Sequence, residues 1–368
     1  MKRWAILVLG LASLDAGKLH AEKWKRVYFH DADDSYLNIV DLKFPTAKIG
    51  IGIGVVVEKG KTRGVSVTTT DGGVRWQMNS LQELPLSLFF LNESLGWMVT
   101  DGGVWRTEES GRDWRKIKSI KAMNEAAFFD EKHGFLSGRK KQILETSDGG
   151  KSWTKLAALE KVESSPDYTV FSDMAFSGNY GMITGHSRPP RTRYGELPEW
   201  MESYSKSRRR EWPNLMIVLS TSDAGKTWVP STSSLFGRVE RIRLDSGLMQ
   251  GLVLLAFDNT FAVPSELLDL NPKTGASTSI FRRKDRAITD ALLTGKDRVI
   301  IAGYEPLGEL HNVPVPGKVK ILKSVDLKTW EEMDVDYRAV ARSVTLAGAP
   351  DGTFWAATDT GIILKLTE

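Results

Sequence analysis

Six strand-like segments of the chain align on a bulky residue: Phe44, Phe90, Phe128, Phe176, Leu244 and Leu293. Three positions before each stands a polar residue: Asp41, Ser87, Glu125, Asp173, Arg241 and Asp290. An odd offset along a strand puts the polar side chain on the opposite face from the bulky one. Brought together, four carboxylates and an arginine could hold a cation or a polar ligand. Asp41, Asp173 and Asp290 could also pair as general acid and base. The competing reading is that these side chains satisfy backbone N–H groups of neighbouring segments. Other chemistry is closed off. The chain has no Cys, which excludes disulfides, thiolate metal sites and cysteine nucleophiles. His20, His30, His133, His186 and His311 are scattered without ligand spacing, so no metal and no cofactor is implied. GIGIG at 50–54 runs on into VVVEKG without a following helix, and reads as a close-packed strand rather than a phosphate cradle.

A second concentration of chemistry is SRPPRTRYGELPEWMESYSKSRRREWPN, residues 187–214. It carries seven basic residues, Arg188, Arg191, Arg193, Lys206, Arg208, Arg209 and Arg210, against four acidic ones. Tyr194, Trp200, Tyr204 and Trp212 are interleaved with them. Residues 197–211 have the composition of a short helix. Arginines beside aromatics suit an anionic group or an acidic protein surface. The alternative is a solvated excursion whose tryptophans pack on the domain. GYEPLGELHNVPVPGK at 303–318, with Tyr304 and His311, is a smaller segment of the same kind.

What must position these groups is a repeat. TTDGGVRW (69–76), TEESGRDW (107–114), TSDGGKSW (146–153) and TSDAGKTW (221–228) share Ser/Thr-x-Asp-x-Gly-x-x-Trp, and SVDLKTW (324–330) is a shortened copy. The shared positions are Thr69, Asp71, Gly73 and Trp76; Thr107, Gly111 and Trp114; Thr146, Asp148, Gly150 and Trp153; Thr221, Asp223, Gly225 and Trp228; and Ser324, Asp326 and Trp330. Apolar runs precede each copy and short alternating runs follow, which is strand, turn, strand. Asp and Ser/Thr close the turn on backbone N–H groups, Gly takes a positive φ, and Trp opens the returning strand. Trp76, Trp114 and Trp153 are spaced by 38 and 39 residues, whereas Trp153 to Trp228 is 75. Residues 187–214 account for the excess.

The octapeptide resembles the Asp-box (BNR) repeat of sialidase-type β-propellers. FFDEKHGFLSG (128–138) and MAFSGNYGMITG (174–185) sharpen this into a likeness to photosystem II stability/assembly factor-like propellers. The resemblance implies an all-β propeller that acts as a non-enzymatic scaffold binding a protein partner, with no cofactor. Blades are expected at about 35–78, 84–118, 123–157, 168–230, 237–282 and 286–334. A seventh begins near 339 with an inner strand at Val340–Ala347 and lacks its fourth strand. Trp24-Lys25-Arg26-Val27 matches the strands after the other turns, so the N-terminal strand is expected to complete it and close the ring. Residues 187–214 and 303–318 then both project from the face opposite the repeated turns, and the polar register lines a channel. Sialidases share the box, but NIVDLKFPTAKIG lacks their early arginine motif. A secreted glycoside hydrolase acting on a carbohydrate is therefore the alternative function.

Residues 1–21 read as an export signal: Met1-Lys2-Arg3, then an apolar run from Trp4 to Leu14, with cleavage after Ala21. The expectation is a single domain over 22–368, exported to the periplasm or beyond, monomeric, with no later transmembrane segment. The formal charge of +4 falls to +2 once Lys2, Arg3, Lys18 and Asp15 are removed, too little to argue for nucleic acid.

Overall fold

The computed structural model describes residues 22–188, 213–245, 247–258, 263–310 and 313–367. Seven antiparallel sheets follow one another along the chain. Their inner strands are Ser35–Lys43, Pro85–Phe90, Met123–Phe128, Thr169–Ser177, Gly237–Asp245, Ala287–Gly295 and Val344–Gly348. In blades one to six the next three strands step outward in chain order. The architecture is a seven-bladed β-propeller, and no α-helix occurs among the described residues.

The repeated turns join third and fourth strands, and their chemistry is local. In the third blade Thr146 Oγ1 donates to Asp148 Oδ1 at 2.9 Å and accepts the Gly150 N–H at 2.9 Å. Asp148 Oδ1 then accepts the N–H groups of Lys151 and Ser152 at 3.0 and 2.9 Å. Asp71 and Asp223 close their turns in the same way, and in the shortened copy Asp326 accepts the N–H groups of Lys328 and Thr329 without the glycine bond. Hydrogen bonds from Arg75 hold the Asp71 carboxyl down at about 2. In the second blade Glu109 replaces the aspartate, and Thr107 alone closes the turn on the Gly111 N–H. Gly73 has φ 84°, and a Cβ there would stand 2.3 Å from Trp355 of the seventh blade, so this glycine meets two demands at once.

Aromatic stacking between blades fills the spaces the turns leave. Phe44 of blade one stacks on Trp355 of blade seven with centroids 4.2 Å apart, and Trp97 of blade two on Phe128 of blade three at 3.7 Å. Trp97 and Trp355 are completely buried. Large apolar faces meeting sheet to sheet are what hold a ring of four-stranded blades together.

The N-terminal strand Lys23–Phe29 pairs antiparallel with Ile362–Thr367 and is the fourth strand of blade seven. Trp24 is fully buried, and its indole N–H donates to Met333 Sδ at 3.3 Å. The closure has a clasp that the repeat did not announce. After Glu331–Glu332 the chain leaves blade six, and Asp334–Val335 adds a fifth strand parallel to Lys23–Trp24. A Lys23–Asp334 ion pair at 2.8 Å reinforces it. The chain then returns, and Val340–Ala341 pairs with Gly317–Lys318 of blade six. The inner strand expected from Val340 therefore starts at Val344. Val340 and Ala341 complete the outer edge of blade six, because the clasp interrupts that strand.

Closure by an intrachain strand makes Trp24 a keystone. Trp24→Ala should cost roughly 3–5 kcal/mol in chemical denaturation, as for other large-to-small changes at buried aromatic sites. Backbone amides of residues 24–28 should exchange as slowly as the core of blade six. A loss within about 0.5 kcal/mol together with unprotected amides would show that this strand does not close the ring.

Candidate functional site

Each of the first six inner strands carries a β-bulge immediately before its polar register residue. The ladder shifts between Ile39 and Asp41, Pro85 and Ser87, Met123 and Glu125, Phe171 and Asp173, Val239 and Arg241, and Ile288 and Asp290. A bulge adds twist and re-aims the side chain that follows it. Here it precedes six side chains, of which Asp41, Glu125, Asp173 and Asp290 all act electrostatically on Arg241.

Three of these carboxylates do one job. Asp41 Oδ1 accepts the N–H of Leu42 at 2.8 Å, and its Oδ2 accepts the N–H of Leu88 in blade two at 2.8 Å. Asp290 Oδ1 accepts the N–H of Ala291 at 2.8 Å, and its Oδ2 the N–H of Leu346 in blade seven at 2.9 Å. Asp173 Oδ2 accepts the N–H of Ile242 in blade five. In every case the donor is the residue after the next blade's own register position, which assigns Thr345 to that position in blade seven. Ser87 does the converse, donating to the Asn124 carbonyl of blade three at 2.9 Å, and Asn124 Nδ2 donates to the Phe171 carbonyl of blade four at 2.9 Å. Asp173 and Asp290 are 1% and 0% exposed, so neither presents a free carboxylate to a ligand.

Buried carboxylates need cations. Arg241 lies between Asp173 and Asp290, with Nη1 3.3 Å from Asp173 Oδ1 and Nε 3.5 Å from Asp290 Oδ1. Arg243 Nη2 reaches Asp290 Oδ1 at 2.8 Å, and Lys43 Nζ reaches Asp41 Oδ1 at 2.9 Å. Burial works against the Arg241 charge, yet Asp290 and Asp173 raise its pKa above the ordinary arginine value. Burial pushes Asp173 up against the pull of Arg241 and Arg243. Lys43 and Arg243 were not among the sequence candidates. Both stand two residues after a register position, on the same strand face, and period 2 was the signal that could have found them.

Glu125 differs. One methylene longer than aspartate, it leaves Oε2 buried without a hydrogen-bond partner. Burial, and then the charge of Asp173, push its pKa well above the usual glutamate range, with Arg241 and Lys43 only partly opposing.

The insertion candidates separate. Arg188 Nε donates to Asn214 Oδ1 at 2.7 Å, and its guanidinium pairs with Asp258 of blade five, so it ties two blades together. Tyr304 ends the second strand of blade six, opposite Ala287 and Val319. Arg191, Arg193, Tyr194, Trp200, Arg208, Arg209, Arg210 and His311, and the helix expected at 197–211, lie outside the described residues. So does the leader expected over residues 1–21.

Burial raises the folded pKa of Glu125 above the 4.5 of the unfolded chain, so its contribution is complete below about 4.5 and is lost as pH rises from there through the folded value. Glu125→Gln should therefore match the parent at acid pH, flatten the decline that sets in above about pH 4.5 and be relatively more stable at neutral pH. Urea denaturation of both proteins between about pH 5 and 9 reads this out, and parallel curves would refute it.

Comparison with known proteins adds an independent line. Residues 116–190 match the family model described as photosynthesis system II assembly factor YCF48. The photosystem II assembly lipoprotein Ycf48 of Synechococcus sp. (strain CC9902) is 22% identical over 275 residues, 69% of this chain and 76% of that protein. Its namesake from Prochlorococcus marinus (strain MIT 9313) is 24% identical over 258 residues, 66% of this chain and 71% of that protein. Among solved structures, YCF48 bound to a D1 peptide superposes with a TM-score of 0.60 at 18% identity, covering 94% of this chain and 95% of the other. YCF48 from Cyanidioschyzon merolae gives 0.59 at 15% identity, with 93% and 98% covered. The chain is thus a seven-bladed BNR propeller similar to the photosystem II assembly factors.

Proposed function

We propose that the protein is an exported, non-enzymatic scaffold that binds a segment of a partner protein across one propeller face. The observation that carries this reading is the likeness along almost the whole chain to a propeller whose solved structure holds a peptide. The ring agrees with it, since Asp41, Asp173 and Asp290 are committed to backbone N–H groups and to cations. Long loops on a rigid scaffold are where such proteins place recognition groups. The reading therefore assigns the partner to the face that bears the 187–214 insertion. Export rests on the composition of residues 1–21. The relatives are named lipoproteins; none of the 368 residues here is a cysteine, so none can carry a thioether-linked lipid.

A second reading, glycoside hydrolysis, has one observation in its favour. Glu125 and Asp173 are interacting buried carboxyls, and burial and the charge of Asp173 push Glu125 upward, as for a general acid held beside a second carboxyl. Against it, the Asp173 side chain is buried and bonded to Ile242 and Arg241.

Affinity capture of envelope proteins on the full chain, followed by binding of the captured partner to an Arg209→Ala/Arg210→Ala variant, tests the first reading. Retention should fall at least about tenfold if two charged contacts are lost. Full retention would remove the insertion as the binding surface. Turnover on a chromogenic glycoside panel that disappears with Asp173→Asn would replace the scaffold reading with the enzymatic one.

A further inference from the structure

The corner where blades two and three meet is unusual in both backbone and charge. Ten non-glycine residues among those described take a positive φ, and three of them sit here: Ala122 (66°), Lys140 (59°) and Lys141 (55°). The Arg139 N–H donates to the Ala122 carbonyl at 2.8 Å, so the connection carrying Lys121 and the hairpin tip Arg139-Lys140-Lys141 lie side by side. A hairpin turn with left-handed φ at two consecutive positions normally takes Gly or Asn, whose backbone adopts that conformation at little cost. Lys-Lys is a strained choice, and strained turns are kept where their side chains serve a purpose.

Those side chains are free cations. Lys121, Arg139 and Lys140 are exposed and Lys118 is half-buried, and none of the four takes part in an ion pair among the described residues. The nearby acids do not neutralise them. Glu83 is committed to Lys116, Thr100 and Trp105. Glu160, Glu163 and Asp167 of the next connection form no ion pair with the four. Lys141 differs, since its ammonium donates to the Val162 carbonyl at 2.6 Å and braces the turn.

The geometry points to a membrane-docking corner: Lys118, Lys121, Arg139 and Lys140 bind the anionic headgroups of a lipid surface. Three features select a lipid surface over a defined acidic peptide. Three of the cations, Lys121, Arg139 and Lys140, are exposed on a connection and a turn that lie side by side. Three of the four are lysines, flexible point charges suited to diffuse negative charge rather than to the forked recognition of one carboxylate. Each basic residue close to an anionic bilayer adds a similar increment of attraction without needing a specific partner group. Such a corner gives a reversible, salt-sensitive hold on a membrane. This inference does not rest on the peptide-binding reading, although the 139–141 hairpin joins second and third strands as the 187–214 insertion does and so shares its face.

Co-sedimentation of the full chain with vesicles tests it. The protein should pellet with phosphatidylcholine vesicles containing about one-third phosphatidylglycerol, stay in solution with phosphatidylcholine alone, and be released at about 0.5 M salt. The variant Lys121→Gln/Arg139→Gln/Lys140→Asn should lose binding at least about tenfold. It should unfold no earlier than the parent, because Asn accepts the left-handed turn. Lys121→Arg/Lys140→Arg should keep full binding. Equal pelleting with both vesicle types, or unchanged binding by the neutral variant, would overturn the inference. Retention on soluble poly-glutamate without any vesicle binding would do the same and assign the corner to an acidic protein.

Discussion

The structure depends on one recurring hydrogen bond: an inner-strand carboxylate that accepts a backbone N–H from the next blade. Blades of a propeller are separate sheets, and no ladder joins their inner edges. Asp41, Asp173 and Asp290 supply the missing link, reaching Leu88, Ile242 and Leu346. A bulge before each of them aims the side chain inward, which is why six blades share the same irregularity in the same place. Three buried carboxylates near one axis would repel one another. Lys43, Arg241 and Arg243 therefore follow as a consequence of the links, each pairing with one of the three carboxylates.

That constraint separates structure from function. The residues whose types looked most chemical are the ones the fold has already used. Paired carboxylates with arginine between them suggest catalysis when seen as a sequence pattern. Once each oxygen has its N–H or its cation, little capacity is left for a substrate. What the ring leaves free are the faces and corners, where turn residues carry unpaired charge on a frame held rigid from the centre.

The sequence displayed the fold unusually well, because a repeat states its period. The Trp76, Trp114 and Trp153 spacing set the blade length, and Trp24, matching the strands after those turns, made the closure readable from residue order alone. The clasp at 334–335 was not legible. It is a single excursion without a second copy, and Val340 and Ala341 have the apolar character of either blade's strand. At the ring, the register positions could be aligned, but their partners could not. Leu88, Ile242 and Leu346 contribute backbone groups, which leave no mark in residue type. Lys43 and Arg243 look like ordinary surface charges until the strand face is known. Glu125 carried no sign of its upward shift, since a pKa raised by burial belongs to the environment and not to the residue.

The most direct test of the central claim is a double-mutant cycle between Arg241 and Asp290. The claim is that the charged ring is structural glue, so the two side chains should be strongly coupled in stability. The four proteins are the parent, Arg241→Met, Asp290→Asn and the double variant, compared by urea denaturation. The account predicts a coupling of about 1–3 kcal/mol, with the double variant less damaged than the sum of the singles. Additive losses, or singles that leave stability unchanged, would contradict it and return the ring to the list of ligand sites.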